Sequence, residues 1–150
     1  MRRLIAPLLV AAQLAACGRA DAPSHDAAPI AVGGPTLVGY LIATQAEVDA
    51  DDELATVAED FQFHLADARD SLVRRGVAVH ARTTSPIVYR VDGRTARFRP
   101  AADSEGVGYL WLRPGRAPVR RFGVMTDADL VAFTLDSLRW RDARGGTPSP

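Results

Sequence analysis

TLVGYLIAT, residues 36–44, is a nearly continuous apolar run. Such a run, without polar alternation, is the pattern of a strand buried on both of its faces. Working outward from it, the next segment carries a different period. Leu54, Ala58, Phe61, Leu65, Ala68 and Leu72 recur at intervals of three and four, so on a helix they make one apolar stripe. Asp51, Asp52 and Glu53 stand at the start of this helix and Arg74 and Arg75 at its end, both placements complementing the helix macrodipole. Gly76 follows as a natural left-handed terminator.

The chain then returns to a period of two. Val77, Val79 and Ala81 alternate with Ala78, His80 and Arg82, which predicts a strand. Residues 87–98 predict a hairpin about Asp92-Gly93, the favoured two-residue turn. That turn puts Ile87, Tyr89, Val91, Ala96 and Phe98 on one face and Val88, Arg90, Thr95 and Arg97 on the other. GVGYLWLR, residues 106–113, predicts a second strand apolar on both faces. Pro114-Gly115 suits a turn, and residues 119–125 supply the returning strand. Thr126-Asp127-Ala128-Asp129 has the form of a capping box with Asp in place of Glu. It opens a second helix with Leu130, Phe133, Leu135 and Leu138 on its apolar side.

The order is therefore β-α-β-ββ-β-β-α. The expected fold is α/β, with one mixed sheet of about five to six strands covered by two helices. Its first strand-helix-strand unit is a right-handed parallel crossover, and its last two strands are antiparallel neighbours. This order, with the closing stretch from Gly108 through Leu138, is similar to the thioredoxin-like fold, Gly123 standing at the familiar place before the terminal helix. The departures from that family are specific. TQAEVDADD, residues 44–52, occupies the place of its CxxC, and Glu105-Gly106-Val107 holds no proline where its cis-proline would lie. The 87–98 hairpin replaces its intervening helix. Thiol–disulfide exchange needs a thiolate, and this segment offers none, so the resemblance implies the fold without the activity.

The amino terminus reads as an address. Arg2 and Arg3 precede an apolar run from Leu4 to Leu14, broken only by Gln13, with Pro7 inside it. A run this short is a secretory signal, since a spanning helix needs about 20 apolar residues. Leu14-Ala15-Ala16-Cys17 closes it and resembles the lipobox of bacterial lipoproteins. The resemblance implies a thioether-linked diacylglycerol on Cys17, cleavage after Ala16 and acylation of the new terminus. Several acyl chains at one residue give stable anchoring to a membrane. Gly18 follows where an aspartate favours inner-membrane retention in well-studied lipoproteins, so the expected location is the outer membrane, facing the periplasm. The expected organisation is a signal over 1–16, a lipidated disordered tether over 17–35, one domain over 36–140 and a disordered tail over 141–150. The tether is rich in Ala, Pro and Gly and would reach roughly 50 Å when extended.

Composition removes several chemistries. Cys17 is the single cysteine among 150 residues, so the mature domain has no internal disulfide and depends on its core. All 18 basic residues are arginine. The chain therefore has no lysine for a Schiff base, a P-loop or a Ser-Lys dyad. The formal charge is zero but polarised. Glu47, Asp49, Asp51, Asp52, Glu53, Glu59, Asp60 and Asp67 form a block without an arginine among them, while residues 71–121 hold eleven arginines against Asp92, Asp103 and Glu105. The molecule should have two electrostatic poles.

Three groups invite a site. Asp49, Asp51, Asp52 and Glu53, with Asp60 beyond, have carboxylate spacing that suits calcium, but Leu54 occupies the turn-glycine position and belongs to the helix stripe, so an acidic helix start explains them better. His25, His64 and His80 make no site by spacing, and HExxH, GxSxG and phosphate-loop motifs are absent. Arg90, Arg97, Arg99, Arg120 and Arg121 could form a positive patch whose guanidinium forks fit phosphate or carboxylate, against the plain alternative of a solvated face. The expectation is a non-enzymatic envelope lipoprotein without cofactor or metal. It would bind an acidic protein or a lipid phosphate, nucleic acid being excluded by export. The alternative is a periplasmic hydrolase whose catalytic residues are scattered in sequence.

Overall fold

The computed structural model describes residues 28–101 and 106–139, and side chains as far as Asp136. The expected signal, Cys17 and the expected tail lie outside the described residues, as does most of the expected tether. Within them the elements run β1 (Ile30–Val32), β2 (Thr36–Leu41), α1 (Gln45–Ala50), α2 (Asp52–Val73), β3 (Ala78–Arg82), β4 (Ile87–Val91), β5 (Arg94–Phe98), β6 (Val107–Leu112), β7 (Val119–Phe122) and α3 (Asp127–Arg139).

The class is α/β, but the strands form two sheets instead of the one expected. A four-stranded sheet has the order β3-β2-β6-β7, and a three-stranded sheet has the order β1-β4-β5. In the larger sheet β2 is parallel to β3 and antiparallel to β6, and β6 is antiparallel to β7. Every residue of β2 is buried. Leu37 and Leu41 join Phe61, Leu65 and Leu72 of α2 and Leu130 of α3 in one core, while Val38 and Tyr40 join Ile30, Ile87 and Phe98 in another. The molecule is thus three layers deep: helices, the larger sheet, then the smaller sheet. The apolar run at residues 36–44 marks the middle layer, which needs apolar atoms on both sides.

The 87–98 hairpin keeps its expected register. Ile87 pairs Phe98, Tyr89 pairs Ala96 and Val91 pairs Arg94. It departs in its location, because it pairs with β1 and not with the strands that flank it in sequence. β1 itself corrects the tether, whose end at residues 30–35 is built into the domain. Ile30 and Val32 are buried, and the strand lies parallel to β4 with Ile30 opposite Tyr89. The two sheets are also tied at their turns. Asp92 has φ 49° and Gly93 φ 73°, the positive values a type I′ turn requires. The Asp92 carboxylate there accepts a hydrogen bond of 2.7 Å from the backbone N–H of Gly115, in the β6–β7 turn.

Three helices replace the two expected. α2 and α3 follow the sequence closely. Ala58, Phe61, Leu65, Ala68 and Leu72 are the buried residues of α2. At its end Val77 N–H reaches Leu72 C=O and Gly76 N–H reaches Val73 C=O, a Schellman closure about the left-handed Gly76. At the start of α3 the Thr126 hydroxyl accepts from Asp129 N–H and donates to the Asp129 carboxylate. The buried face of α3 is carried by Leu130 and Thr134, whose hydroxyl donates back to the Leu130 and Val131 carbonyls, and Leu135 is only half-buried. The extra helix, α1, is opened by a full capping box: Glu47 N–H donates to the Thr44 hydroxyl, and the Glu47 carboxylate accepts from Thr44 N–H. Asp51 ends α1 and caps α2 at once, in an extended conformation, with its Oδ1 accepting from the N–H groups of Glu53 and Leu54.

Candidate functional site

The arginines are the first site to place, and they do not gather as one patch. Arg90 and Arg97 lie on the outer face of the small sheet, exposed, on neighbouring strands, Val88 opposite Arg97 and Thr95 opposite Arg90 with the Tyr89–Ala96 pair between. Arg99 is exposed just beyond β5. Arg120 and Arg121 are consecutive on β7, so the strand's period of two sends them to opposite faces. Arg120 lies over the Phe98 ring at 5.6 Å, on the side of the small sheet. Arg121 lies over the Phe133 ring of α3 at 5.3 Å, on the helix side. The five-residue patch is therefore corrected to a pair, Arg90 and Arg97, with Arg99 beside it.

The histidines separate in the same way. His64 on α2 has its Nδ1 3.5 Å from Oδ1 of Asp127 on α3, a contact that does not count as a hydrogen bond. Ser71 follows it by seven residues, about two helical turns along α2, and its hydroxyl is engaged by Arg75. His80 lies on β3, beside a groove of about 190 Å³ lined by Phe61, Leu65 and Arg69. Burial holds its imidazole below the usual histidine range, and the charges of Arg82 and Arg69 add to the effect. Among the described residues no His, Cys, Asp or Glu side chains converge as a metal site. The acidic run at Asp51–Glu53 caps and lines the start of α2.

A broader concavity lies elsewhere among the described residues, where β2 ends and the chain turns into α1 and α2. Here a cleft of about 600 Å³ has Leu41 and Ile42 as its floor, Leu54 and Val57 of α2 as one wall and Val107 of β6 as another. Glu47 and Asp51 stand in it as well. The position has a topological cause. β2 is the inner strand from which neighbours depart on both sides, β3 through the helices and β6 by the antiparallel return. The chain leaves the sheet there for α1, and the space lies between α2 and the start of β6. Sequence reasoning took these residues for core and cap and missed them as a site, because the signal is the strand order and not a motif. The cleft size is that of pockets for small organic ligands. Its lining is aliphatic, apart from two carboxylates already holding helix starts, so its chemistry is binding by apolar contact and charge.

No protein-family model, no curated protein and no solved structure matches this chain.

Proposed function

We propose that the protein is a membrane-anchored envelope lipoprotein whose single domain is a non-catalytic binding module, with its ligand seated in the cleft at the end of β2. Residues 1–16 would export it and lipid on Cys17 would hold it, at the outer membrane facing the periplasm. The observation that carries the binding role is the preformed, aliphatic cleft at the carboxyl end of β2. We propose further that the fold is thioredoxin-like, with the β1-β4-β5 sheet in place of the helix that family inserts. The order β3-β2-β6-β7, and the packing of α2 and α3 on one face of that sheet, support this.

Two measurements test the proposal together. The intact mass of membrane-extracted protein should show Cys17 bearing acyl groups, and Cys17→Ser should move the protein to the soluble fraction; an unmodified Cys17 removes the anchor. For the cleft, 2-naphthalenemethanol should shift the methyl resonances of Leu41, Leu54, Val57 and Val107. Leu54→Trp, which fills the space, should abolish those shifts in a protein that remains folded. Absence of shifts in the unsubstituted protein removes the binding role.

The exposed Arg90 and Arg97 support a second contact, with a lipid phosphate or an acidic protein that the anchor brings near. Association of the Cys17→Ser protein with anionic vesicles should weaken several-fold in the Arg90→Ala/Arg97→Ala variant and in high salt. Equal association with zwitterionic vesicles would remove it. The hydrolase alternative has one observation in its favour, the approach of His64 to Asp127. Ester turnover by the purified protein, abolished by His64→Ala, would carry that alternative in place of the binding module.

A further inference from the structure

The charge around the cleft is one-sided. Beside it, on the far side of α1, lies a second depression of about 440 Å³ that shares Leu41 and Ala43 with it. Glu47 and Asp51 line the first, and Asp49, Asp52 and Glu59 line the second. Among the described residues, no arginine or histidine lines either one. The two carboxylates of the larger cleft are fixed in place by their capping roles, so their negative charge is held at the rim and does not swing away. The Glu47 carboxylate receives Thr44 N–H at 2.7 Å and the Thr44 hydroxyl at 2.8 Å through Oε2. These bonds from Thr44 keep its carboxyl below the usual glutamate range, so it stays ionised. Asp51 uses Oδ1 for the start of α2. Among the described residues, Oε1 of Glu47 and Oδ2 of Asp51 make no hydrogen bond.

The helix dipoles do not reverse this sign. The amino end of α2 carries about half a positive charge, but the carboxyl end of α1 meets it at Asp51 with a partial charge of opposite sign. Against that near-cancellation stand whole negative charges on Glu47, Asp51 and Asp52. The apolar floor excludes a small hydrated ion, which would gain nothing from Leu41, Ile42 and Val107. The apolar floor and the anionic rim together call for one kind of molecule.

We infer that the cleft takes an apolar organic cation: a hydrophobic body seated on Leu41, Leu54 and Val107, with a protonated amine or guanidinium group at the Glu47 and Asp51 carboxylates. This rests on the cleft being the binding site, and the test separates the two. Three probes share one ring system and differ in charge: 2-naphthylmethylamine, 2-naphthoate and 2-naphthalenemethanol. Each is titrated into the intact protein, extracted in a non-ionic detergent, with methyl resonances of the cleft as the readout. The ammonium probe should bind about tenfold more tightly than the alcohol, and the carboxylate more weakly than either. The preference should shrink toward parity in 0.5 M salt, on the order of a 4 Å screening length. Glu47→Gln/Asp51→Asn should do the same, since Gln and Asn keep both caps while removing the charges. The salt series needs no substitution, so it decides the matter even if the double variant folds poorly. Equal binding of the three probes, or a preference for the carboxylate, overturns the cation inference and leaves an apolar cleft. Binding of none overturns the cleft itself.

Discussion

Gly108→Ala should lower the stability of the domain by about 3 kcal/mol or more, since among the described glycines an added Cβ meets its closest contact here. A Cβ built at Gly108 collides with the backbone carbonyl oxygen of Arg121 and lies 2.8 Å from the Tyr40 hydroxyl. The carbonyl belongs to β7, paired to β6 at this point, and cannot move without breaking the ladder. Tyr40 cannot retreat either, since it is fully buried and meets Phe98 of the small sheet edge-on at 5.5 Å. The position is one half of a reciprocal arrangement between β2 and β6. Tyr40 pairs with Gly108, and Gly39 pairs with Tyr109; Tyr40 covers Gly108 on one face of the sheet, while Leu65 and Phe61 cover Gly39 on the other. Gly39→Ala should cost less, about 1–2 kcal/mol, because its neighbours are the tips of Leu65 and Phe61, at 2.8 and 3.0 Å, and side-chain tips can turn aside. Urea denaturation followed by tryptophan fluorescence gives both values. A midpoint for Gly108→Ala equal to that of the unsubstituted protein would show that β7 and Tyr40 are not where they are described.

The same pair of glycines shows which parts of the fold could be deduced from sequence. Within TLVGYLIAT and GVGYLWLR every alternation is apolar, which identified β2 and β6 as middle-layer strands, and both are buried throughout or nearly so. The α2 stripe and the Asp92-Gly93 register were equally legible, because both are set by spacing inside one segment. Partnership between distant segments was not. The hairpin strands carry Arg90, Thr95 and Arg97 on one face, a pattern equally true of an edge in one sheet and of an outer layer. What decides for the outer layer is β1, and β1 is too short for any period to show. α1 had a local signal, the Thr44-Gln45-Ala46-Glu47 capping box, but it falls within the expected loop after β2. The arginine patch failed for a simpler reason. Adjacent residues on a strand point apart, so Arg120 and Arg121 could never share a face once residues 119–122 are extended. The cleft failed because apolar residues at the end of a strand look the same in sequence whether they pack or line a pocket. Their role depends on the strand order around them.

Ile30→Asp should destabilise the domain by about 3–5 kcal/mol, the scale set by leaving an unpaired charge in a packed site. Ala31→Asp, one residue on, should change stability by less than about 0.5 kcal/mol, as exposed substitutions do. The contrast depends wholly on residues 30–32 being a strand. In a solvated tether the two variants would be indistinguishable and both silent. As β1, the segment alternates: Ile30 and Val32 are 2% and 6% exposed within the core between the sheets, and Ala31 faces solvent. Ile30 packs in the cluster that holds Tyr40 and Leu110 from the other sheet, so a carboxylate there would confront apolar atoms from both layers. The group can escape by protonation, which limits the cost, so the loss should shrink as the pH falls from neutral toward the ordinary aspartate value near 4. The sign follows from linkage. The folded variant would raise the aspartate pKa above its unfolded value, so the penalty is full above the folded pKa and fades as the pH drops toward the unfolded one. Urea midpoints for both variants at pH 7 and pH 4 test this. Equal and small effects at pH 7 would return residues 30–32 to the tether and leave one edge of β4 without a partner strand. A large Ile30→Asp loss that softens in acid would place the start of the folded domain at Ile30, which shortens by six residues the linker available between Cys17 and the first strand.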